Sequence, residues 1–348
     1  MPQIDKDLTH NLKKADLRYV TDTQMGITRK KNGHFKYFDT HQKLIKTSAT
    51  LKRIESLSIP PAWKNVWICP SPSGYLQATG LDSKSRKQYI YHPEWTKVSQ
   101  EKKFNKVVFF GYALPTIRNK VYKDMLIEDL IKDKIIATVI WLLEHTFIRI
   151  GNEEYVKDNN SFGLTTLRSR HVKVRGKNIK FQFRGKSGVE QSISITHPRI
   201  AKIIKECSQL PGYEIFQYFD EGGERHAINS EDVNEYLKSI TGEYITAKDF
   251  RTWGATVLCA TSLKEIGPSK GEIEEKKNIS SAVKKVSSHL HNTAKVCKNY
   301  YIHPTVFETY QKNILVPHFN RIFGQKNSKN KGLAKSEYAT LTLIRSYS

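Results

Sequence analysis

The sequence predicts an α+β protein: a small β-rich N-terminal domain over residues 1–95 and a larger, mostly helical C-terminal domain over residues 96–348 that also carries β-hairpins. Three observations predict it. The chain has 348 residues, and that length suggests about two domains at roughly 150 residues each. Before residue 95 the apolar residues fall in short runs broken by Pro, Gly and Ser clusters, the pattern of strands and turns. From about residue 97 they recur with helical spacing, and period-2 alternation returns only around residues 171–195.

Residues 1–33 are polar and basic and end in Thr28-Arg29-Lys30-Lys31-Asn32-Gly33, which reads as a turn. A helix is expected over Ser48–Ser56, with Leu51 and Ile54 on its apolar side, and Ile59-Pro60-Pro61 stops it. Val66–Cys69 and Tyr75–Thr79 read as strands separated by the turn Pro70-Ser71-Pro72-Ser73-Gly74, and Arg86–Tyr91 as a third run. Leu114–Leu130 and Lys132–Arg149 have helical spacing, and the second is apolar nearly all round, which makes it a buried helix. His171–Val174 and Ile179–Phe183 alternate strictly and are joined by Arg175-Gly176-Lys177-Asn178, a hairpin. Phe183–Val189 then turns into Gln191–Ile195, which puts Lys186 at the tip of a second hairpin. Further helices are expected at Pro198–Cys207 with Pro in the first turn, at Glu231–Ile240 capped by Ser230, from the capping box Thr246–Asp249 through Leu263, and over Gly271–His289. Residues 324–332 read as a solvated linker, followed by a short helix near 334–345.

Composition narrows the function. An apolar fraction of 38% is enough for a sizeable core, and 19 Gly with 12 Pro are too few for a collagen-like or low-complexity chain. The longest apolar stretch, Ile135–Leu143, is far shorter than the about 20 residues of a membrane span, so no membrane partner is expected. Met1-Pro2-Gln3-Ile4-Asp5 has no apolar signal region. Cys69, Cys207, Cys259 and Cys297 are scattered, with no Cys-x-x-Cys pair, which argues against a zinc ribbon or a disulfide framework. They are expected as small buried hydrophobes in a reducing cytoplasm. Lys and Arg number 57 against 34 Asp and Glu, a net charge of +23. That excess suggests a polyanionic partner, nucleic acid before an acidic membrane surface, because no basic amphipathic helix stands out. The alternative is a basic protein that merely stays soluble.

Most enzyme motifs are missing: there is no Gly-x-x-x-x-Gly-Lys loop, no dinucleotide fingerprint and no Gly-x-Ser-x-Gly elbow. His289-x-His291 has no acidic or cysteine partner at matching spacing for a metal. The expected chemistry is therefore metal-free and nucleotide-free. Several positions admit two readings. Arg149, at the end of the buried helix, either pairs with Glu153 or Glu154 or serves a site. Lys186 is either an exposed turn lysine or reaches into a groove. Arg251, in the first turn of its helix, is either solvated or functional. His291-Asn292-Thr293 and the pair Tyr300-Tyr301 follow a long helix, and aromatic pairs are commonly core. Together these residues match what metal-free cleavage of a phosphodiester requires. A tyrosine hydroxyl can form a covalent intermediate, two arginines can clamp the charge on the non-bridging oxygens, a lysine can protonate the leaving 5′-oxygen, and a His or Asn can hold the remaining oxygen.

The ordered segments Leu17-Arg18-Tyr19-Val20, Ile27-Thr28-Arg29, Ile59–Trp63, Val66–Pro70, Leu76–Gly80, Arg86–His92, Ile148–Asn152, Gly163–Leu167, Phe183–Gly188, Lys248–Trp253 and Asn292-Thr293 through Tyr301-Ile302-His303-Pro304 span nearly the whole chain. Through them it resembles the type IB DNA topoisomerases, in particular the compact bacterial and poxvirus-like group. The resemblance implies the catalytic fold shared with tyrosine recombinases and a clamp of two lobes, the N-terminal domain contributing to the grip on duplex DNA. It also implies a monomer in the cytoplasm, associated with the nucleoid, that needs neither ATP nor a divalent metal. Arg149 and Arg251 then resemble the two transition-state arginines, Lys186 the hairpin lysine that protonates the leaving oxygen, and Tyr301 the nucleophile of a 3′-phosphotyrosyl bond, with Tyr300 its neighbour and rival. Asn292 stands where the poxvirus enzymes have His; it can donate a hydrogen bond but carries no charge. His291 stands where Gly is expected and is able to share that role or contact DNA. Gln88, Tyr89 and Tyr91 resemble the family's duplex contacts; the alternative is a surface strand with packed tyrosines. Two other classes are kept beside this one: a tyrosine site-specific recombinase, and a non-enzymatic basic DNA-binding protein.

Overall fold

The computed structural model describes residues 6–243, 245–325 and 332–348, so most of the expected linker at 324–332 lies outside the described residues. The protein is a mixed helix and sheet structure with small antiparallel sheets, and it divides into two compact units, Met1–Asn105 and Lys106–Ser348.

In the first unit, α1 (Lys6–Lys14) precedes β1 (Ile27–Asn32), β2 (His34–Phe38), α2 (Ser48–Ser56), β3 (Lys64–Ile68), β4 (Leu76–Leu81) and β5 (Lys87–Tyr91). The strands form an antiparallel sheet in the order β2-β1-β3-β4-β5. Its core gathers Ile27, Ile54, Val66, Ile68 and Ala78. The segment Thr28–Asn32, expected as a turn, is strand, and the turn is confined to Gly33 at φ 67°. Arg29 is accommodated on this strand because its guanidinium donates to the carbonyls of Pro60 (3.0 Å) and Trp63 (2.8 Å) and lies 4.3 Å from the centre of the Phe35 ring.

Helix α3 (Pro93–Asp124) begins close to residue 97, where helical spacing is expected to set in, and is one continuous helix through Leu114. The second unit continues with α4 (Lys132–Thr146), α5 (Glu153–Asn159), β6 (Val172–Arg175), β7 (Asn178–Arg184), β8 (Glu190–Thr196), α6 (Pro198–Cys207), β9 (Gln217–Phe219), β10 (Arg225–Ala227), α7 (Ser230–Thr241), α8 (Ala247–Ile266), α9 (Glu272–Leu290), α10 (Ala294–Tyr300), α11 (Pro304–Gln311), α12 (Leu315–Gly324) and α13 (Lys335–Tyr347). Strands β6, β7 and β8 form the expected pair of hairpins, in that order. Helix α4 is buried nearly all round, as its sequence requires. It ends at Thr146 rather than Arg149, because Phe147 turns left-handed (φ 55°) and returns its N–H to the Leu143 carbonyl. The cap of α7 is Asn229, whose side chain accepts from the N–H groups of Glu231 and Asp232; Ser230 is already helical. The capping box of α8 forms as expected, with Thr246 N–H on Asp249 (2.8 Å).

Helix α8 is the hub of the unit. It packs against α4, α9, α12 and α13, and Ala255, Cys259, Ala260 and Leu263 enter a core shared with α9 to α13. All four cysteines are buried free thiols, as expected. No helix among the described residues is long and apolar enough to cross a membrane.

Candidate active site

The segment after α4 is set by backbone contacts. The N–H of Leu164 donates to the Arg149 carbonyl (2.8 Å) and that of Thr165 to the Ile150 carbonyl (2.7 Å). This approach needs glycine at 163: a Cβ there would stand 2.6 Å from the Arg149 carbonyl oxygen and 2.5 Å from the Gly151 nitrogen. Pinned in this way, Arg149 turns its guanidinium to the side-chain oxygen of Asn292, to which it donates a hydrogen bond. Desolvation lowers the pKa of the Arg149 guanidinium.

Arg251 is not solvated, although it lies in the first turn of α8; only 4% of it is exposed. Its guanidinium donates to the carbonyl of Phe147, just past α4, and at 2.9 Å to the carbonyl of Leu290, the last residue of α9. The C-terminal ends of helices leave carbonyls unpaired and carry partial negative charge, so one cation closes two helix ends. Close packing makes this possible: the Phe147 ring lies over Gly254, where a Cβ would come within 2.1 Å of it. Burial, together with the charge of nearby Arg149, pushes the Arg251 pKa down to about 10.

Tyr301 follows α10, with its N–H on the Cys297 carbonyl (3.0 Å). The Arg251 guanidinium carbon lies 5.3 Å from the centre of its ring. Burial works against ionisation of the phenol, but Arg251 and Arg149 outweigh it and hold the pKa below the ordinary tyrosine value. Asn292 has its amide nitrogen buried, with no hydrogen-bond partner among the described residues. His291 caps α9 in the left-handed conformation (φ 48°), the one glycine adopts without penalty. That accounts physically for the Gly expected at this position. Burial and the two arginines lower the His291 pKa.

Arg149, Lys186, His291, Asn292 and Tyr301 line one cleft of about 590 Å³. Lys186 sits on the turn between β7 and β8, exposed, with its ammonium 5.6 Å from the centre of the Tyr155 ring on α5. The structure thus brings together Arg149, Lys186, Arg251, His291, Asn292 and Tyr301, which the sequence spreads over more than 150 residues. Tyr155 carries no signal in the sequence: it is a lone aromatic on a short polar helix, without periodicity to mark it.

Gln88, Tyr89 and Tyr91 lie on β5 in the first unit. Gln88 donates to Asp82 (3.0 Å). The rings of Tyr89 and Tyr91 stack at 6.1 Å and are 49% and 41% exposed. Tyr75 continues the aromatic series between Tyr91 and Tyr19, at 5.9 and 5.5 Å. The tyrosines pack on each other and still present part of their surface to solvent.

Residues 85–319 match the family model described as eukaryotic DNA topoisomerase I, catalytic core, and residues 34–82 match that of the bacterial DNA topoisomerase IB N-terminal domain. The chain belongs to the type IB DNA topoisomerases. It is 33% identical over 300 residues to a DNA topoisomerase 1B of Acanthamoeba polyphaga mimivirus, covering 83% of this chain and 88% of that protein. It is 27% identical over 242 residues to a DNA topoisomerase 1 of rabbit fibroma virus (66% of this chain, 70% of that one). To a DNA topoisomerase 1B of vaccinia virus, strain Copenhagen, it is 26% identical over 247 residues (68% and 73%).

Proposed function

We propose that this protein relaxes supercoiled duplex DNA with Tyr301 as nucleophile. The phenolic oxygen attacks the scissile phosphorus. The Tyr301 Oη–P bond forms, the P–O5′ bond breaks, the phenolic proton leaves to solvent, and Lys186 gives a proton to the departing 5′-oxygen. Arg149 and Arg251 stabilise the charge that develops on the non-bridging oxygens, and the unpaired Asn292 amide donates to the remaining one. The free 5′-hydroxyl end rotates about the intact strand and then attacks the phosphotyrosyl ester, restoring the strand. The ester conserves the energy of the broken bond, so ATP has no role. The charge neutralisation comes from guanidinium groups, so a divalent metal is not required. Gln88, Tyr89 and Tyr91 contact the duplex, the amide at base edges or phosphates and the rings through their exposed faces. The protein acts as a monomer on the DNA of the cytoplasm.

The observation that supports this reading above others is the single cleft shared by Arg149, Lys186, Asn292 and Tyr301, with Arg251 under the phenol. The test is plasmid relaxation with EDTA present and ATP absent, together with a covalent protein–DNA adduct on a denaturing gel. Relaxation with adduct is expected. Rearranged products that require paired sites would indicate a recombinase. Binding without change of linking number would indicate an architectural protein.

Lys186 gives a second expected result. Lys186→Ala slows cleavage about 10²–10⁴-fold, the usual contribution of general acid catalysis. A substrate with sulfur in place of the bridging 5′-oxygen restores most of the rate, because a thiolate leaves without a proton. Equal slowing on both substrates would remove Lys186 from the acid's role.

A further inference from the structure

We infer that Thr256 is a positioning residue for strand cleavage, tying the backbone that carries Tyr301 to the helix that carries Arg251. This rests on the reading of Tyr301 as the nucleophile.

Thr256 lies on α8, five residues after Arg251, and is fully buried. Its side-chain oxygen lies 2.7 Å from the Thr252 carbonyl and 3.2 Å from the Tyr301 carbonyl, and it accepts the N–H of His303 at 3.1 Å. A hydroxyl has one proton and two lone pairs. The proton is shared between the two carbonyls, and a lone pair takes the His303 N–H. One side chain thus holds the main chain on both sides of Ile302, immediately after the nucleophile.

The placement matters because of what lies around it. Before Tyr301, the N–H groups of Tyr301 and Ile302 both turn back to the Cys297 carbonyl at 3.0 and 3.1 Å, which closes α10. After it, His303 caps α11 through its ring nitrogen, 3.3 Å from the Thr305 N–H. Tyr301 therefore sits on a short link between two small helices, α10 packed on α9 and α11 packed on α8, α12 and α13. The hydroxyl of Thr256 ties the backbone of this segment to α8. The five residues between Arg251 and Thr256 make a rise of about 7.5 Å along one rigid helix. The pin therefore holds the phenol at its distance from the guanidinium on the same helix, beside the packing of buried Ile302 in the core shared with α8. In-line attack is sensitive to such distances: a displacement of about 1 Å can cost on the order of 10²-fold in rate.

The test compares Thr256→Val, which keeps the shape and loses the hydroxyl, with Thr256→Ser, which keeps the hydroxyl and loses the methyl. Single-turnover cleavage is measured with enzyme in excess on a duplex whose cleaved end diffuses away, beside non-covalent duplex affinity and circular dichroism at the assay temperature. Thr256→Val is expected to cleave about 10²-fold more slowly with affinity unchanged, and Thr256→Ser to cleave at close to the parent rate. A residue that only fills the core gives the reverse order, with Ser the more damaging through its cavity; that order, or a Val variant as fast as the parent, overturns the inference. If Thr256→Val does not fold, Thr256→Ala is set against Thr256→Ser: Ala far slower supports the pin, and equal rates overturn it. A Tyr301→Phe variant run alongside separates the two readings. Cleavage by that variant overturns the nucleophile itself, whereas a dead Phe variant with an active Val variant overturns only the role of Thr256.

Discussion

Tyr301→Phe is expected to lose plasmid relaxation and the covalent adduct together, by at least about 10⁴-fold, while duplex affinity stays unchanged. The size follows from the role: removing a covalent nucleophile removes the path, and what survives in such cases is binding without turnover. Folding should be spared, because the ring is what the core uses. Tyr301 packs against the cluster formed by α8 to α13 through its ring, and the Arg251 guanidinium faces that ring at 5.3 Å. Phe keeps both contacts. Tyr300→Phe is the matched control; Tyr300 is 49% exposed, and its substitution should leave relaxation near the parent level. Titration gives a second reading of the same group. Below its pKa the phenol is neutral and must lose a proton during attack, so single-turnover cleavage rises with pH. With the pKa held below the ordinary tyrosine value by the two arginines, the rise should level off short of about pH 10, where an unperturbed phenol ionises. A Phe variant that relaxes plasmid normally would end the assignment.

The sequence makes the helices of the second unit legible wherever burial and pattern agree. Helix α4 carries an apolar run that has only one way to be satisfied, and α6 starts at Pro198 and ends at Cys207 as its spacing requires. It fails where a polar residue is satisfied by distant backbone. Thr28–Lys31 looks like a turn because the carbonyls that receive Arg29 lie more than 30 residues away. The same cause hides the burial of Arg251. In the sequence it is a charged residue in the first turn of a helix, where solvent is the expected neighbour. In the structure two helix ends converge on it, and neither end is marked by anything near residue 251. The candidate site residues follow from the order of motifs along the chain, not from spacing. Arg149 and Asn292 meet across 143 positions, and no local pattern encodes that meeting. Thr256 carries no local signal at all, being one threonine on a helix face that also buries Thr252.

Arg251→Ala should be the most damaging of the arginine changes, and in two separable ways. Relaxation is expected to fall about 10³-fold or more, since removal of one preorganised donor to a developing oxyanion commonly costs 10²–10³ and this guanidinium also acts on the nucleophile. Burial raises the Tyr301 pKa, and Arg251 is the largest influence holding it down. Without Arg251 the phenol moves up, and the plateau of cleavage against pH should shift upward with it. Arg149→Ala should shift it less, because its influence on the phenol ranks below that of Arg251. The second effect is on stability. The alanine leaves the Phe147 and Leu290 carbonyls without their donor at the ends of α4 and α9, and an orphaned buried acceptor costs about 1–3 kcal/mol. A lower Tm is therefore expected alongside the lost rate. Arg251→Lys separates the two: an ammonium keeps the charge and can reach one carbonyl, so part of the Tm should return. The forked geometry that holds both helix ends and still faces the phenol is not available to lysine, so relaxation should remain low. A lysine variant with restored relaxation would show that the site needs only a positive charge at this point, and a Tm unchanged in Arg251→Ala would show that the helix ends do not depend on it.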